Sequence, residues 1–194
     1  MNNKNLYFIV LYAVLFTGLA VSVRLGFTAA ADRTVYLFLR RFDDFEWLDA
    51  YLTFLSHIFE PFYAVIIFLV VAVIYYFKKD AYFWLYATGA GFSLAAGAAI
   101  KYIFQRTRPE AGHIPFDGFS FPSMHVLSFF VLVILLFRIS SNIYFRAVLV
   151  VLIISMMISR IYLGAHFLSD TIASIILVLL ILHIQEFIKE KFMD

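Results

Sequence analysis

The chain has 194 residues, of which 64% are hydrophobic, 20% aromatic and 14% charged, with a net charge of +2 and a mean hydropathy of +0.93. An ordinary soluble domain is nearer half apolar and a quarter charged, and a water-soluble globule of this size could not hide so much apolar surface. The composition therefore excludes a cytosolic enzyme, a disordered chain and a nucleic-acid binder with a basic surface, while the absence of cysteine excludes disulfide staples, zinc–thiolate sites and thiol nucleophiles.

A membrane-spanning helix needs about 20 apolar residues. In chain order, six stretches meet or approach that length: residues 5–23, 61–77, 81–104, 123–137, 144–163 and 167–188. The fourth is short, and only a turn around Gly164 and Ala165 separates the last two. Residues 5–23 are read as a span and not a cleaved leader, because only Lys4 precedes them and the Ala29–Ala31 cluster lies past the apolar run. Residues 24–60 form the longest piece outside the spans. There Trp47, Leu48, Tyr51, Leu52, Leu55, Ile58 and Phe59 recur at spacings of three and four, opposite Glu46, Asp49, Ser56 and Glu60. That pattern predicts an amphipathic helix lying along the interface or over the outer end of the bundle. The expected architecture is an all-α, polytopic membrane protein of six transmembrane helices in one domain, residues 1–194.

Six spans place both termini on one side. Counting Lys and Arg by side gives seven against eight, a tie, but four of the eight share the long first loop with acids. The reading favours cytoplasmic termini.

Charged groups at a membrane boundary are costly and point to function. Three polar clusters stand out: Lys101 to Pro109 after the third span, Phe121 to His125 opening the fourth, and Ser159 to Asp170 joining the fifth and sixth. In the six-span layout all three fall on the same side of the membrane. Lys101, Arg108 and Arg160 supply cations without a metal-ligand cluster, and a phosphoryl group is their natural guest. Arg108 precedes Pro109 and is biased toward extended backbone. Ser123 follows Pro122 at a helix start, where free N–H groups and the hydroxyl can hold an anion. His166 and Asp170, four apart, fall on one helical face. There the carboxylate can take one imidazole N–H and leave the other nitrogen as a nucleophile. His125 remains as a candidate acid for a leaving oxygen.

Singly, each has a plainer explanation: Lys101, Arg108 and Arg160 as interfacial anchors, Pro122-Ser123 as a helix start, His125 as a core histidine, His166 and Asp170 as a packing pair. Together they are harder to dismiss. Ser-Arg-x5-His-x3-Asp arises by chance about once in ~10⁵ windows at roughly 5% per residue type.

The three motifs together resemble the type 2 phosphatidic acid phosphatase (PAP2) superfamily, membrane lipid phosphatases related in fold to vanadium haloperoxidases. Lys101 to Pro109 matches the family's Lys-x6-Arg-Pro, and Ser159 to Asp170 matches Ser-Arg-x5-His-x3-Asp. In the second motif, Pro-Ser-Gly-His, Met124 replaces the glycine. It keeps a backbone N–H for phosphate but adds bulk beside the site and loses freedom at positive φ.

The resemblance implies that His166 attacks phosphorus and forms a phosphohistidine, with Asp170 orienting it. It implies that His125 protonates the leaving alkoxide, and that Lys101, Arg108, Ser123, Met124 and Arg160 bind the phosphate. It implies no cofactor and no metal. The expected substrate is a membrane lipid phosphate whose tail stays in the bilayer, such as phosphatidic acid, phosphatidylglycerol phosphate, undecaprenyl diphosphate or a lipid A phosphate. The short chain and sparse loops are similar to bacterial members, which implies a plasma-membrane location with the site extracytoplasmic. Glu110, His113 and Asp117 lie near the site and are candidates to touch a headgroup; His57 fits no motif, and His183 is expected to be structural. Two alternatives stand beside hydrolysis: a lipid phosphotransferase, which the replaced glycine favours, and an anion transporter or channel. The second calls for a polar stripe through the membrane, yet Ser128 is the sole polar residue from Val126 to Phe137.

Overall fold

In the computed structural model, residues 4–77, 83–109 and 116–192 are described. Their regular structure is helical throughout: α1 (Lys4–Arg24), α2 (Ala29–Leu39), α3 (Glu46–Ile58), α4 (Pro61–Phe77), α5 (Phe83–Phe104), α6 (Met124–Ile139), α7 (Ile143–Tyr162) and α8 (Leu168–Phe192), with a 3-10 turn at Arg40–Phe42. The six predicted stretches coincide with α1 and α4 to α8. Among the described residues, α1, α7 and α8 are each long and apolar enough to cross a membrane, and α3 and α4 meet that test jointly across a 56° bend. α6 is a shorter apolar helix.

α6 is the inner post of the bundle. Val126, Leu127, Phe129, Leu132, Val133 and Leu135 are buried along its length, and it packs against α4, α5, α7 and α8. A helix apolar on all sides belongs inside a bundle. Lipid-facing helices show the opposite pattern. Val10 and Val14 of α1, Phe62 and Leu69 of α4, and Tyr144 and Val151 of α7 are all exposed. Such exposure is sustainable where hydrocarbon replaces water as the solvent. Gly97 lets α5 and α6 approach, since a methyl there would lie 2.6 Å from Leu127 Cδ1 and 3.1 Å from Met124 Sδ.

The N-terminal end of α1 and the C-terminal end of α8 meet at one end of the bundle, where α1 runs along α8 and Asn5 Nδ2 donates to Glu190 Oε1 at 2.8 Å. The C-terminal ends of α5 and α7 and the N-terminal ends of α6 and α8 converge at the other end.

The first loop departs from expectation in two ways. It holds α2 as well as the predicted amphipathic α3, and α2 packs on α7 and α8. α3 covers the outer end of α7, but its faces are not divided as predicted. Ser56 is buried together with Leu52 and Leu55, whereas Trp47 is 69% exposed. A buried arginine, Arg160, takes Ser56 as its partner, and that need outweighs the polarity of one hydroxyl.

Candidate active site

The site is built from the chain breaks at the convergent end. α5 stops at Phe104, and Gln105 enters the left-handed region at φ 48°, turning the chain into the extended segment that carries Arg106 and Arg108. α6 starts after a cis Phe121–Pro122 bond, with Ser123 as its extended N-cap. α7 ends at Tyr162, and Gly164 turns at φ 73° so that His166 arrives just before α8. There the main-chain N–H groups of Ala165 and His166 both donate to the Arg160 carbonyl, at 3.1 and 3.0 Å.

His166 is 2% exposed. Its Nδ1 lies 2.7 Å from the Ser120 carbonyl, which can only accept, so Nδ1 carries the proton and Nε2 carries the lone pair. Arg108 Nη1 sits 3.5 Å from Nε2. Burial pushes the His166 pKa down to about 4, against the opposing pull of the Asp170 carboxylate.

The expected His166–Asp170 hydrogen bond is replaced by a looser contact. Asp170 Oδ2 is 3.7 Å from Nδ1, and His166 stands in the turn, two residues before α8 begins. Both Asp170 oxygens are engaged elsewhere: Oδ1 accepts from Arg106 Nη1 at 2.6 Å, and Oδ2 from the Phe167 N–H at 2.8 Å. The Ser120 carbonyl therefore fixes the tautomer, while Asp170 acts as a nearby negative charge.

The phosphate-binding candidates surround this histidine. Lys101 Nζ donates to the Phe119 carbonyl at 2.6 Å. Arg108 spans the mouth, donating from Nη1 to Ala165 O at 2.7 Å and from Nε to Asp117 O at 3.1 Å. Arg160 is 2% exposed, and one Nη1 donates to Ser56 Oγ, but its Nε has no partner among the described residues. Phe116 lies between the two guanidiniums, 5.5 Å from Arg108 and 5.0 Å from Arg160. The Ser123 side chain is fully buried, and its Oγ also has no partner. His125 lies within Coulombic reach of Arg160, His166, Arg108 and Lys101.

Met124 directs its thioether onto Gly97 and into the apolar contact between α5 and α6. Of the candidate headgroup contacts, Asp117 is exposed and meets Arg108 through its carbonyl, and Glu110 and His113 lie outside the described residues. His57 lines an apolar groove with Phe54 and Tyr63, away from this cluster. His183 sits at the opposite end, stacked on Phe8 and Tyr12.

Four participants escaped the sequence reading: Asp32, Ser56, Arg106 and the Ser120 carbonyl. Arg106 lay inside the first cluster, two residues before Arg108, and could have been suspected. Asp32 and Ser56 carried no local signal.

No curated protein matches this chain. Two solved structures do. A transmembrane PAP2-type phosphatidylglycerolphosphate phosphatase from Bacillus subtilis aligns with a TM-score of 0.81 at 21% identity, over 96% of this chain and 98% of that one. Aquifex aeolicus LpxE aligns with a TM-score of 0.67 at 15% identity, over 80% of this chain and 94% of that one. At these identities the likeness establishes the shared fold. The PAP2 superfamily model matches residues 82–188, more than half the chain and all three motifs, and the protein belongs to that family.

Proposed function

We propose that this protein is an integral membrane lipid phosphatase working through a phosphohistidine, without a metal. The observation that carries the reading is a pair of buried polar atoms without partners among the described residues, Ser123 Oγ and Arg160 Nε, beside a histidine whose Nε2 keeps its lone pair and faces Arg108 Nη1 at 3.5 Å. Leaving such groups unpaired is expensive, and an anionic guest would complete them.

The chemistry follows from the placement. His166 Nε2 attacks phosphorus; the P–N bond forms as the P–O bond to the lipid breaks, and His125 gives a proton to the departing oxygen. His125 then takes a proton from water, whose oxygen attacks the phosphohistidine and releases inorganic phosphate. Lys101, Arg108, Arg160, Ser123 and the Met124 N–H stabilise charge on the equatorial oxygens. These donors are cations, hydroxyl and amide, which need no divalent ion to bind phosphate. Tyr102 and Ile103, beside Lys101, are 70% and 74% exposed and face hydrocarbon, which suits a substrate whose tail stays in the bilayer. The site then opens on the extracytoplasmic side, with the termini cytoplasmic. The test is phosphate release from a panel of lipid mono- and diphosphates in EDTA. Release that disappears in His166→Ala supports the reading, and full activity in that variant overturns it.

A further inference from the structure

Behind His166 lies a largely buried ionic chain that the three motifs leave unassigned. Arg106 Nη1 donates to Asp170 Oδ1 at 2.6 Å and to Ser169 Oγ at 2.7 Å, and its Nη2 donates to Asp32 Oδ2 at 2.8 Å. Asp32, from α2, also accepts from the Ser169 N–H at 2.9 Å and from Ser169 Oγ at 2.7 Å. The guanidinium lies 4.3 Å over the Phe167 ring. Asp170 is 0% exposed, Asp32 2% and Ser169 3%.

The same residue reaches His166 by a second route. The Arg106 carbonyl accepts the Ser120 N–H at 2.8 Å, and the Ser120 carbonyl accepts the His166 Nδ1–H at 2.7 Å. Arg106 thus indexes both the ring's hydrogen-bond acceptor and the carboxylate behind it.

We propose that Arg106 and Asp32 are positioning residues, forming with Asp170 a chain that holds the carboxylate in register with His166 and sets how much of its charge the imidazole feels. A purely structural staple is a weaker account. Burying two carboxylates, with a guanidinium whose side chain is only 16% exposed, costs desolvation that attraction only partly offsets, and an apolar trio would pack there at least as well. Two carboxylates and one guanidinium leave the chain with one net negative charge. That charge favours the positive charge that develops on the imidazole as the P–N bond forms, while Arg106 offsets part of the Asp170 charge and so keeps His166 from taking up a proton from solvent beforehand. This inference rests on the proposed reaction.

Among the described residues, the charged or titratable groups around His166 are Lys101 of α5, Arg106 and Arg108 after it, His125 of α6, Arg160 of α7, Asp170 of α8 and, through Arg106, Asp32 of α2. Removing the Arg106 cation exposes His166 to the full Asp170 charge, so its titration midpoint rises. Removing the Asp32 charge strengthens Arg106 on Asp170, so the midpoint falls.

The test is a titration of the detergent-solubilised full chain by NMR with ¹⁵N-labelled histidine, the His166 signal being assigned by its loss in His166→Gln. Expected are an upward midpoint shift of about one pH unit in Arg106→Gln and a smaller downward shift in Asp32→Asn. In phosphate release, Arg106→Gln loses about 10- to 100-fold in kcat while KM stays within about threefold, because Arg106 holds no substrate. Arg106→Lys restores the midpoint but not kcat, since an ammonium lacks the fork that joins two carboxylates. Midpoints that stay put, or move in the same direction in both variants, overturn the inference. Should Arg106→Gln fail to fold, Asp32→Asn alone decides by its downward shift. The titration needs no substrate, so an inactive wild-type protein strikes the proposed function and leaves this test standing.

Discussion

The two ends of the bundle use the same residue types in different ways. At the end with the termini, Arg138 meets Glu186 at 3.4 Å with about half of its side chain exposed, and His183 lies 3.6 Å from the same glutamate. Arg146 donates to the carbonyls of Ser140 and Phe137, closing the turn between α6 and α7. At the opposite end Arg160, His166 and Asp170 are buried, and Arg160 Nε and Ser123 Oγ have no partner among the described residues. Exposed charges can draw on water or headgroups and anchor the helices at little cost. Buried groups must be satisfied by something, and an incomplete set marks where a ligand belongs. Residue type alone does not separate anchor from site, and neither does one unpaired atom, since Gln185 Oε1 is buried without a partner among the described residues toward the termini. What marks the site is several buried cationic and hydroxyl groups gathered around one histidine.

Substitution at the two ends sharpens this contrast. The largest effect is expected for His166→Ala, with phosphate release falling by about 10⁴-fold or more, whereas His183→Ala at the other end retains wild-type turnover. Next comes the arginine pair. Arg160→Ala should lose about 10²–10³-fold in kcat/KM, and Arg138→Ala less than about threefold, measured on the same lipid substrate. Equal losses in that pair would erase the distinction between the ends. Ser123→Ala removes one hydrogen bond to the guest and should cost roughly tenfold, without lowering thermal stability, because that hydroxyl has no partner among the described residues.

A pH profile adds a milder test. The nucleophile must be neutral, and burial sets the His166 pKa at about 4, below the ordinary histidine range. The His166-dependent loss of kcat/KM is therefore expected only as pH falls toward about 4. A loss centred near 6.5 that follows His166 would show that the ring is not shielded as the structure has it. The smallest effect is predicted at residue 124. Met124→Gly should change activity by less than about threefold and lower stability by about 1–2 kcal/mol, since the lost side chain packs on Gly97 and not on the guest.

Much of the fold was legible. A continuous apolar run in a chain this hydrophobic has one physical outcome, a helix whose backbone groups bond internally, so six stretches became six helices. The site motifs were legible because the residues of each lie within a dozen positions and carry groups that a bilayer penalises. What escaped was pairing across distance. Asp32 meets Ser169 across 137 residues, Arg160 meets Ser56 across 104, and His166 meets Ser120 across 46. The expected His166–Asp170 pairing is present as a 3.7 Å contact, loosened because the Ser120 carbonyl, 46 residues away, takes the Nδ1–H while the Phe167 N–H takes the facing carboxylate oxygen.

By itself, the sequence determined that the chain is a helical membrane protein carrying three short polar motifs, which hold five of its 28 charged residues. Hydrophobicity and local spacing are properties of short windows, and short windows suffice to read them. Only the tertiary structure decided which oxygen accepts the His166 Nδ1–H bond, which cation pairs with Asp170, and that Arg160 is buried while Arg138 is half exposed. Those outcomes depend on which partners arrive first within hydrogen-bond distance of a buried group, and that competition is settled only when the helices pack.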